Sequence, residues 1–411
     1  MSTPASSNAA PSDGPRYRLQ TTAIHAGEGP DPVTHASAPN LVMSTTFVVD
    51  ADAAFSAEAM GDETRWVYTR WGNPTVHQLE LKLAALEGAD TAVAFGSGMA
   101  ALFALLVHTL KSGDHAVISD VAYAALSESA NEVLPELGIS VTRVDTSDPE
   151  NVRHALTPRT RLVHIETPSN PILRLTDIAA VAAIAHANGA LLSVDSTFAT
   201  PAATHPLALG ADFVVHSLTK YLGGHGDALG GAIIGPDRLL RDIRRKTALR
   251  VGGVLSPFNA WLILRGLATF PLRMRAHEEN ALKVAAWLEA NPHVSRVIYP
   301  GLPSHPQHAL ARRQMKNFSG MVTFQIPNGP AAARVLAEHL RVIHYAVSLG
   351  HHRSLLFYLG TNDLLQTTFK LDAAQLASWR TFAGDGLFRF SVGLEDPEDL
   401  IADLEQAFSH L

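Results

Sequence analysis

Thr91-Ala92-Val93-Ala94-Phe95-Gly96-Ser97-Gly98-Met99-Ala100-Ala101 joins a strand-like apolar run to an apolar helical stretch through a glycine-flanked turn. Glycines between a strand and a helix let backbone N–H groups close on a phosphate at the positive end of the helix dipole. The stretch 91–110 is apolar enough to suggest a membrane helix. Its glycines, its serine and its strand-turn-helix pattern point instead to a buried α/β unit. Upstream, Asn73-Pro74 opens a helix with a cap and a first-turn proline; Val76, Leu79, Leu83 and Leu86 recur at helical spacing, and Gly88 stops it. Downstream, strand-like runs follow at 116–119, 140–144, 161–165, 191–195, 213–216 and 232–234. Helical segments lie between them, such as 176–187, read with Thr176 as its cap and Gly189 as its stop. That alternation predicts an α/β fold with a mostly parallel sheet covered by helices on both faces. Past about residue 268 the pattern shifts to longer helices, including 276–290 and 330–340, and implies a smaller C-terminal α+β domain.

Within this frame a second string carries chemistry. Val214-Val215-His216-Ser217-Leu218-Thr219-Lys220-Tyr221 puts a lone lysine behind an apolar run and beside two hydroxyls. A lysine held there can lose its proton near neutral pH and act as an amine nucleophile, although most lysines are solvated surface charges. Asp195 ends the run Leu191-Leu192-Ser193-Val194-Asp195, at the sheet edge where open α/β folds place ligands. A phosphate cradle, an acid at a strand end and a desolvated lysine together describe a pyridoxal 5′-phosphate site. The lysine holds the cofactor as a Schiff base, the acid keeps its ring nitrogen protonated, and the cradle holds its phosphate.

Further strings carry a resemblance. Tyr68-Thr69-Arg70 with Asn73-Pro74-Thr75, Gly96-Ser97-Gly98-Met99, Glu166-Thr167-Pro168-Ser169-Asn170-Pro171 and Val194-Asp195 with Thr197 occur in order. Ser217 to Tyr221 with Gly224-His225-Gly226-Asp227, Ala346-Val347-Ser348-Leu349-Gly350 and Arg389 to Asp396 complete the set. From about Thr22 onward the chain resembles the cystathionine/methionine γ-lyase family of trans-sulfuration enzymes, which share the aspartate-aminotransferase type of fold. The resemblance implies a division into a disordered tail and N-terminal arm over 1–72, a cofactor domain over 73–268 and a C-terminal domain over 269–411.

It also implies roles. Gly98 and Met99 would offer backbone N–H groups to the phosphate, and Ser217 and Thr219 hydroxyls from a second loop. Tyr123 would lie over the cofactor ring and move protons, and Asn170 would bond the ring hydroxyl, although Asn-Pro is also a common turn signal. Arg389, on an alternating strand with Phe388 and Phe390 on the opposite face, would grip a substrate carboxylate bidentately, with Ser348 and Val347 beside the substrate. Tyr68 and Arg70 resemble the pair that family members insert into a neighbouring subunit, so the site would be shared across a dimer, within a homotetramer of two such dimers.

Composition narrows the alternatives. The 411 residues are 46% hydrophobic and 17% charged, enough for a large core in a soluble cytoplasmic enzyme. A net charge of −7 argues against nucleic-acid or anionic-membrane partners, and the absence of cysteine removes disulfides and thiolate chemistry. The start, Met1-Ser2-Thr3-Pro4, opens a polar stretch with no apolar core of a signal peptide and reads as a disordered tail. Ser217-Leu218-Thr219-Lys220 also matches a Ser-x-x-Lys acylase motif, but Ser129-Ala130-Asn131 precedes it rather than following it, and Lys246-Thr247 is followed by alanine. His277-Glu278-Glu279-Asn280-Ala281 lacks the second histidine of a zinc helix, and the adjacent His351-His352 diverge, so no metal site is expected. A non-catalytic binding module fits poorly with Lys220, Asp195 and Arg389 all being present.

Departures from the family pattern bear on the substrate. Tyr123-Ala124-Ala125-Leu126 replaces a more polar string, making the leaving-group wall more apolar. Val347 stands where the cystathionine lyases carry an acid that meets the distal ammonium; without that acid, cystathionine is disfavoured. After Gly350 the usual His-Pro-Ala-Ser-Met-Thr-His stretch is replaced by His351-His352-Arg353-Ser354-Leu355-Leu356-Phe357-Tyr358 and a loop through Asn362. The reading is a pyridoxal-phosphate-dependent C–S or C–O lyase, methionine γ-lyase-like, that eliminates the γ-substituent of a homoserine-type amino acid. A sulfhydrylase of O-acetyl- or O-succinylhomoserine, or a lyase for another substrate such as canavanine, would use the same residues.

Overall fold

The computed structural model describes residues 17–51 and 66–411. The tail expected at the start of the chain lies outside the described residues. Asn73 caps the helix Pro74–Glu87 by accepting from the Thr75 N–H at 2.9 Å, and Gly88 ends it with φ 69°. Strand β1 (Thr91–Phe95) leads to Ser97, whose hydroxyl accepts from the Ala100 N–H at 3.1 Å and caps the helix Gly98–Thr109. The strand-turn-helix reading of 91–110 therefore holds, and no helix among the described residues is long and apolar enough to cross a membrane.

Six more strands complete the first sheet: β2 (His115–Ser119), β3 (Ser140–Val144), β4 (Thr160–Glu166), β5 (Leu191–Asp195), β6 (Phe213–Ser217) and β7 (Gly231–Gly235). Their order is β1-β7-β6-β5-β4-β2-β3. The run from β3 to β6 is parallel, whereas β7 is antiparallel to both β6 and β1. Two reversals leave β1 pointing the same way as β6, so the carboxyl ends of β1, β4, β5 and β6 share one edge. Apolar residues on both faces of β2, β4 and β6 are buried, as a sheet covered by helices on both sides requires.

One local expectation needs correction. The helix expected over 176–187 runs Ile178–Ala187, capped by Asp177, which accepts from the Ala180 N–H at 3.2 Å. Thr176 is held elsewhere, its hydroxyl 2.8 Å from that of Thr146. Asp and Thr both cap well, and the buried hydroxyl pair claims the threonine.

A second sheet follows: β8 (Arg296–Ile298), β9 (Met321–Gln325), β10 (His344–Tyr345), β11 (Leu355–Gly360) and β12 (Gly386–Ser391), ordered β10-β11-β12-β9-β8. The helices Phe270–Ala290, Gly329–His339 and Pro397–Phe408 pack on one of its faces through Val284, Leu288, Leu336, Leu400 and Leu404. The first of these starts six residues before the expected 276–290, because Pro271 fits its first turn. On β12, Phe388 and Phe390 enter that core, and alternation turns Arg389 to the opposite face, towards the first sheet.

Candidate active site

β4 and β5 end together, with Glu166 opposite Asp195 in their register. Asp195 Oδ1 accepts from the Thr197 N–H at 2.9 Å, and the Thr197 hydroxyl accepts from the Ser217 N–H at 2.9 Å, tying the ends of β5 and β6 together. Burial raises the Asp195 carboxyl above its ordinary range, against the Thr197 bonds and His216. Its bonds come from Thr197 and not from a lysine or arginine, so a cationic ring N–H placed there would favour the ionised form. Glu166 accepts from the N–H groups of Tyr123 and Asn170, each at 2.7 Å. Burial, then the neighbouring Asp195 charge, holds it well above the usual carboxylate range.

The turn after β6 carries Lys220. Burial and then the Arg389 charge lower its amine to about 8, and Nζ donates to Ser348 Oγ at 2.8 Å. The turn is fixed from behind by Arg273, whose guanidinium donates to the Tyr221 carbonyl at 2.7 Å and the Gly266 carbonyl at 2.8 Å. Gly224 is required beside it, since a Cβ there would lie 1.9 Å from Arg273 Nη1. A Cβ on Gly98 would lie 3.1 Å from Ser217 Cβ, so the glycine turn and the lysine turn face each other at close quarters. Gly98 and Met99, in the first turn of their helix, have no acceptor within it, leaving two N–H groups beside the Ser217 hydroxyl. The Thr219 hydroxyl accepts from the Gly230 N–H at 3.1 Å and donates to the Gly230 carbonyl at 3.3 Å. It would have to leave that carbonyl to donate to a phosphate.

The second sheet supplies the facing wall. Arg389 donates through Nη1 to Asn170 Oδ1 at 2.9 Å and through Nη2 to the Ser348 carbonyl at 3.2 Å. Ser348 has a left-handed backbone, φ 88°, and its Oγ lies 3.3 Å from His351 Nε2. Val347 is 63% exposed, and the Tyr123 side chain, at the start of the helix Ala124–Asn131, is 47% exposed. Lys220, Ser348, Arg389, Asn170, Tyr123 and Asp195 are thus linked through short contacts and shared partners. Tyr68 and Arg70 are not among them. Their side chains stack on each other at 5.4 Å, on a segment where Tyr68 bridges to Thr46.

Three residues that shape this site were missed in the sequence. Glu166 ends its strand as Asp195 ends the neighbouring one, and the same argument would have singled it out. Arg273 lies on the helix stripe with Phe270, Met274 and His277, all buried, a spacing that marks it as inward-facing. His351 had no such signal, because its contact with Ser348 depends on how the loop folds.

The residues fit pyridoxal phosphate: paired glycine-turn N–H groups and a serine hydroxyl for an anion, a buried carboxylate for a ring N–H, with which no lysine or arginine among the described residues pairs, and a depressed lysine between them. Among the described residues no group of His, Asp and Glu could hold a metal ion. The model of the Cys/Met metabolism PLP-dependent enzymes matches residues 20–409. The chain is 43% identical to a canavanine γ-lyase of Pseudomonas canavaninivorans, covering 94% of this chain and 95% of that protein. It is 41% identical to an L-methionine γ-lyase of Fusobacterium nucleatum subsp. polymorphum, covering 96% and 99%. The crystal structure of metB from Corynebacterium glutamicum superposes with a TM-score of 0.87 at 39% identity, covering 96% of this chain and 98% of that one. The chain therefore belongs to the Cys/Met metabolism family of pyridoxal-phosphate-dependent enzymes.

Proposed function

We propose that the protein eliminates the γ-substituent of a homoserine-type amino acid with an uncharged distal group, releasing a 2-oxo acid, ammonia and that substituent. The observation that carries this is the convergence on Ser348: its hydroxyl accepts from Lys220 and its carbonyl accepts from Arg389. A base for C–H bonds and a cation for a carboxylate thus stand side by side, next to the uncharged Val347. Bound pyridoxal phosphate supplies an electron sink for the carbanion formed beside the amino group. Gly98, Met99, Ser217 and Thr219 would hold its phosphate, Asn170 its ring hydroxyl and Asp195 its ring nitrogen. Arg389 takes the substrate carboxylate in a bidentate grip. Lys220, its amine lowered to about 8, removes the α-proton and then a β-proton near the operating pH. The Tyr123 phenol would give a proton to the departing γ-group.

Canavanine is the second reading. Asp227, at an exposed position on the glycine-flanked segment against which His351 packs, is a carboxylate that could meet a guanidino group, and the similar Pseudomonas protein is a canavanine γ-lyase. We further propose a soluble cytoplasmic enzyme with the domain division 1–72, 73–268 and 269–411, in which Tyr68 and Arg70 complete a partner's phosphate site in a dimer and two dimers form a tetramer.

Purified protein supplied with methionine, O-acetylhomoserine, cystathionine or canavanine, with and without an added thiol, tests the reading. Predominant 2-oxobutanoate and ammonia from the first two is the expected result. Near-complete diversion of O-acetylhomoserine into a thioether amino acid would make the protein a sulfhydrylase instead, and preferred turnover of canavanine would establish the second reading.

A further inference from the structure

The segment after Gly350 places an imidazole next to the hydroxyl to which the Lys220 amine donates. Lys220 Nζ donates to Ser348 Oγ at 2.8 Å, and Ser348 Oγ lies 3.3 Å from His351 Nε2. The geometry around these atoms is tightly set. A Cβ on Gly350 would lie 2.6 Å from the Tyr221 backbone nitrogen, so the loop is pressed against the lysine turn. Gly350 N–H donates to Ser391 Oγ at 2.9 Å, and His352 N–H to the Gly224 carbonyl at 3.0 Å. The imidazole covers Gly226, where a Cβ would lie 2.7 Å from its Cε1 and Nδ1. His351 is half-buried, with its Nε2 edge towards the hydroxyl and its Cε1 and Nδ1 edge against Gly226.

We propose that His351 is the outer end of a proton path, Lys220 Nζ to Ser348 Oγ to His351 Nε2, that returns Lys220 to its basic form between successive proton removals. This rests on the elimination reading, which asks one amine to take both an α- and a β-proton. The balance is simple. When Lys220 takes a proton from carbon, the C–H electron pair stays with the substrate and Nζ becomes an ammonium. Nζ then passes one proton to Ser348 Oγ as the Ser348 O–H proton moves to His351 Nε2. One N–H and one O–H bond break, one O–H and one N–H bond form, and nothing is oxidised. The imidazolium gives its proton to water.

The groups bearing on His351 are Lys220 and His352, which disfavour its charged form, and Asp227, which favours it; Arg389 bears on Lys220 in turn. Burial is the largest influence and, with the first two, holds the ring below its ordinary value, so at neutral pH the imidazole is uncharged and one of its nitrogens is free of a proton. His351 is a positioning and relay residue rather than a catalytic one, since it reaches the reacting atoms only through Ser348.

The test follows loss of the substrate α-hydrogen by proton NMR in heavy water, using the holoenzyme with methionine. His351→Asn keeps a hydrogen-bonding side chain but cannot ionise. It should slow the exchange roughly tenfold, below the span of a full general acid–base contribution, and remove an ionisation from the acidic limb of the kcat profile. Ser348→Ala should slow exchange by at least as much, and the double variant no further, because both remove one path. Unchanged exchange and an unchanged acidic limb in His351→Asn, or losses that add in the double variant, would overturn the path. A second readout needs no turnover: the His351 imidazole resonances should titrate below the ordinary histidine midpoint and move upward in Lys220→Ala. A midpoint indifferent to Lys220 would also overturn it. Exchange reports the first proton removal whichever product forms, so failure of the elimination reading shows separately, in the products.

Discussion

The two walls of the site are held in different ways. On one, Glu166 and Asp195 end adjacent strands in a single register, and Thr197 ties Asp195 to Ser217 on the next. On the other, Ser348 and Gly350 take left-handed backbone angles of 88° and 70°, and the loop is fixed by side-chain bonds to Lys220, Arg389 and Ser391. A backbone ladder fixes the first wall through many groups at once, so its geometry survives loss of any one side chain. The second wall depends on a few bonds and can change its residues without disturbing the sheet. On the proposed reading, proton transfer and cofactor binding fall to the first wall, and substrate choice to the loop of the second, beside the Arg389 carboxylate grip.

Changes to the strand wall should therefore lower turnover of every substrate alike. Lys220→Ala should abolish turnover and remove the visible band of the lysine-bound cofactor, and borohydride reduction of the wild type should fix the cofactor on Lys220. A reduced adduct mapped to another lysine would break the assignment. Asp195→Asn should cost about a hundredfold or more in kcat, equally for methionine and O-acetylhomoserine, because a neutral ring is a poor electron sink. A loss confined to one substrate would move Asp195 to the selective wall.

The shared-site proposal adds a third contributor. Refolding Arg70→Ala together with Lys220→Ala should restore activity in mixed dimers, since some sites regain both residues. Proven mixed dimers without activity would place Arg70 outside the partner's site.

A smaller effect distinguishes the supports of the two walls by pH. His164 on β4, which pairs with Ser193 of β5 at 2.8 Å, and His277 and His305 are buried, and burial lowers each from 6.5 to about 4. Between those values the unfolded chain binds more protons, so the stability these groups contribute is complete above pH 6.5 and is lost as pH falls towards 4. The melting temperature should drop from pH 7.5 to pH 5, and His164→Asn should reduce that drop. A flat profile would contradict the buried neutral imidazoles. The smallest effect is expected at Gly226→Ala, where the new methyl and a φ of 71° would displace His351. Its expected signature is an α-hydrogen exchange several-fold slower, with the melting temperature little changed.

The strand wall was largely legible in the sequence. Its strands are apolar runs buried on both faces, and Asp195, Ser217 and Lys220 follow those runs at fixed offsets, so local pattern carried position. The helix cap at Asn73 was legible for the same reason, whereas the cap read at Thr176 falls at Asp177 because the Thr146 hydroxyl claims the threonine. Glu166 ends a strand as Asp195 does, so its position was within reach of the same rule; its partners, the Tyr123 and Asn170 N–H groups, are backbone atoms that no residue pattern marks. The link from Arg389 to Asn170 joins a strand of the second sheet to the turn after β4 and could be anticipated only through the family resemblance. The Ser348 to His351 contact needs the left-handed turn at Ser348, a conformation that a serine does not announce.

Val347 tests most directly whether the loop wall chooses the substrate. The decisive quantity is the ratio of cystathionine to methionine cleavage, measured as kcat/KM, for the wild type and for Val347→Glu. At an exposed position such as Val347 a counter-charge for the distal ammonium is worth about 1 kcal/mol or less. The wild type should therefore favour methionine, and the added carboxylate should raise the ratio by roughly a few-fold while α-hydrogen exchange with methionine stays unchanged. A wild type that already prefers cystathionine, or a ratio left unchanged by the substitution, would contradict the assignment of substrate choice to this wall.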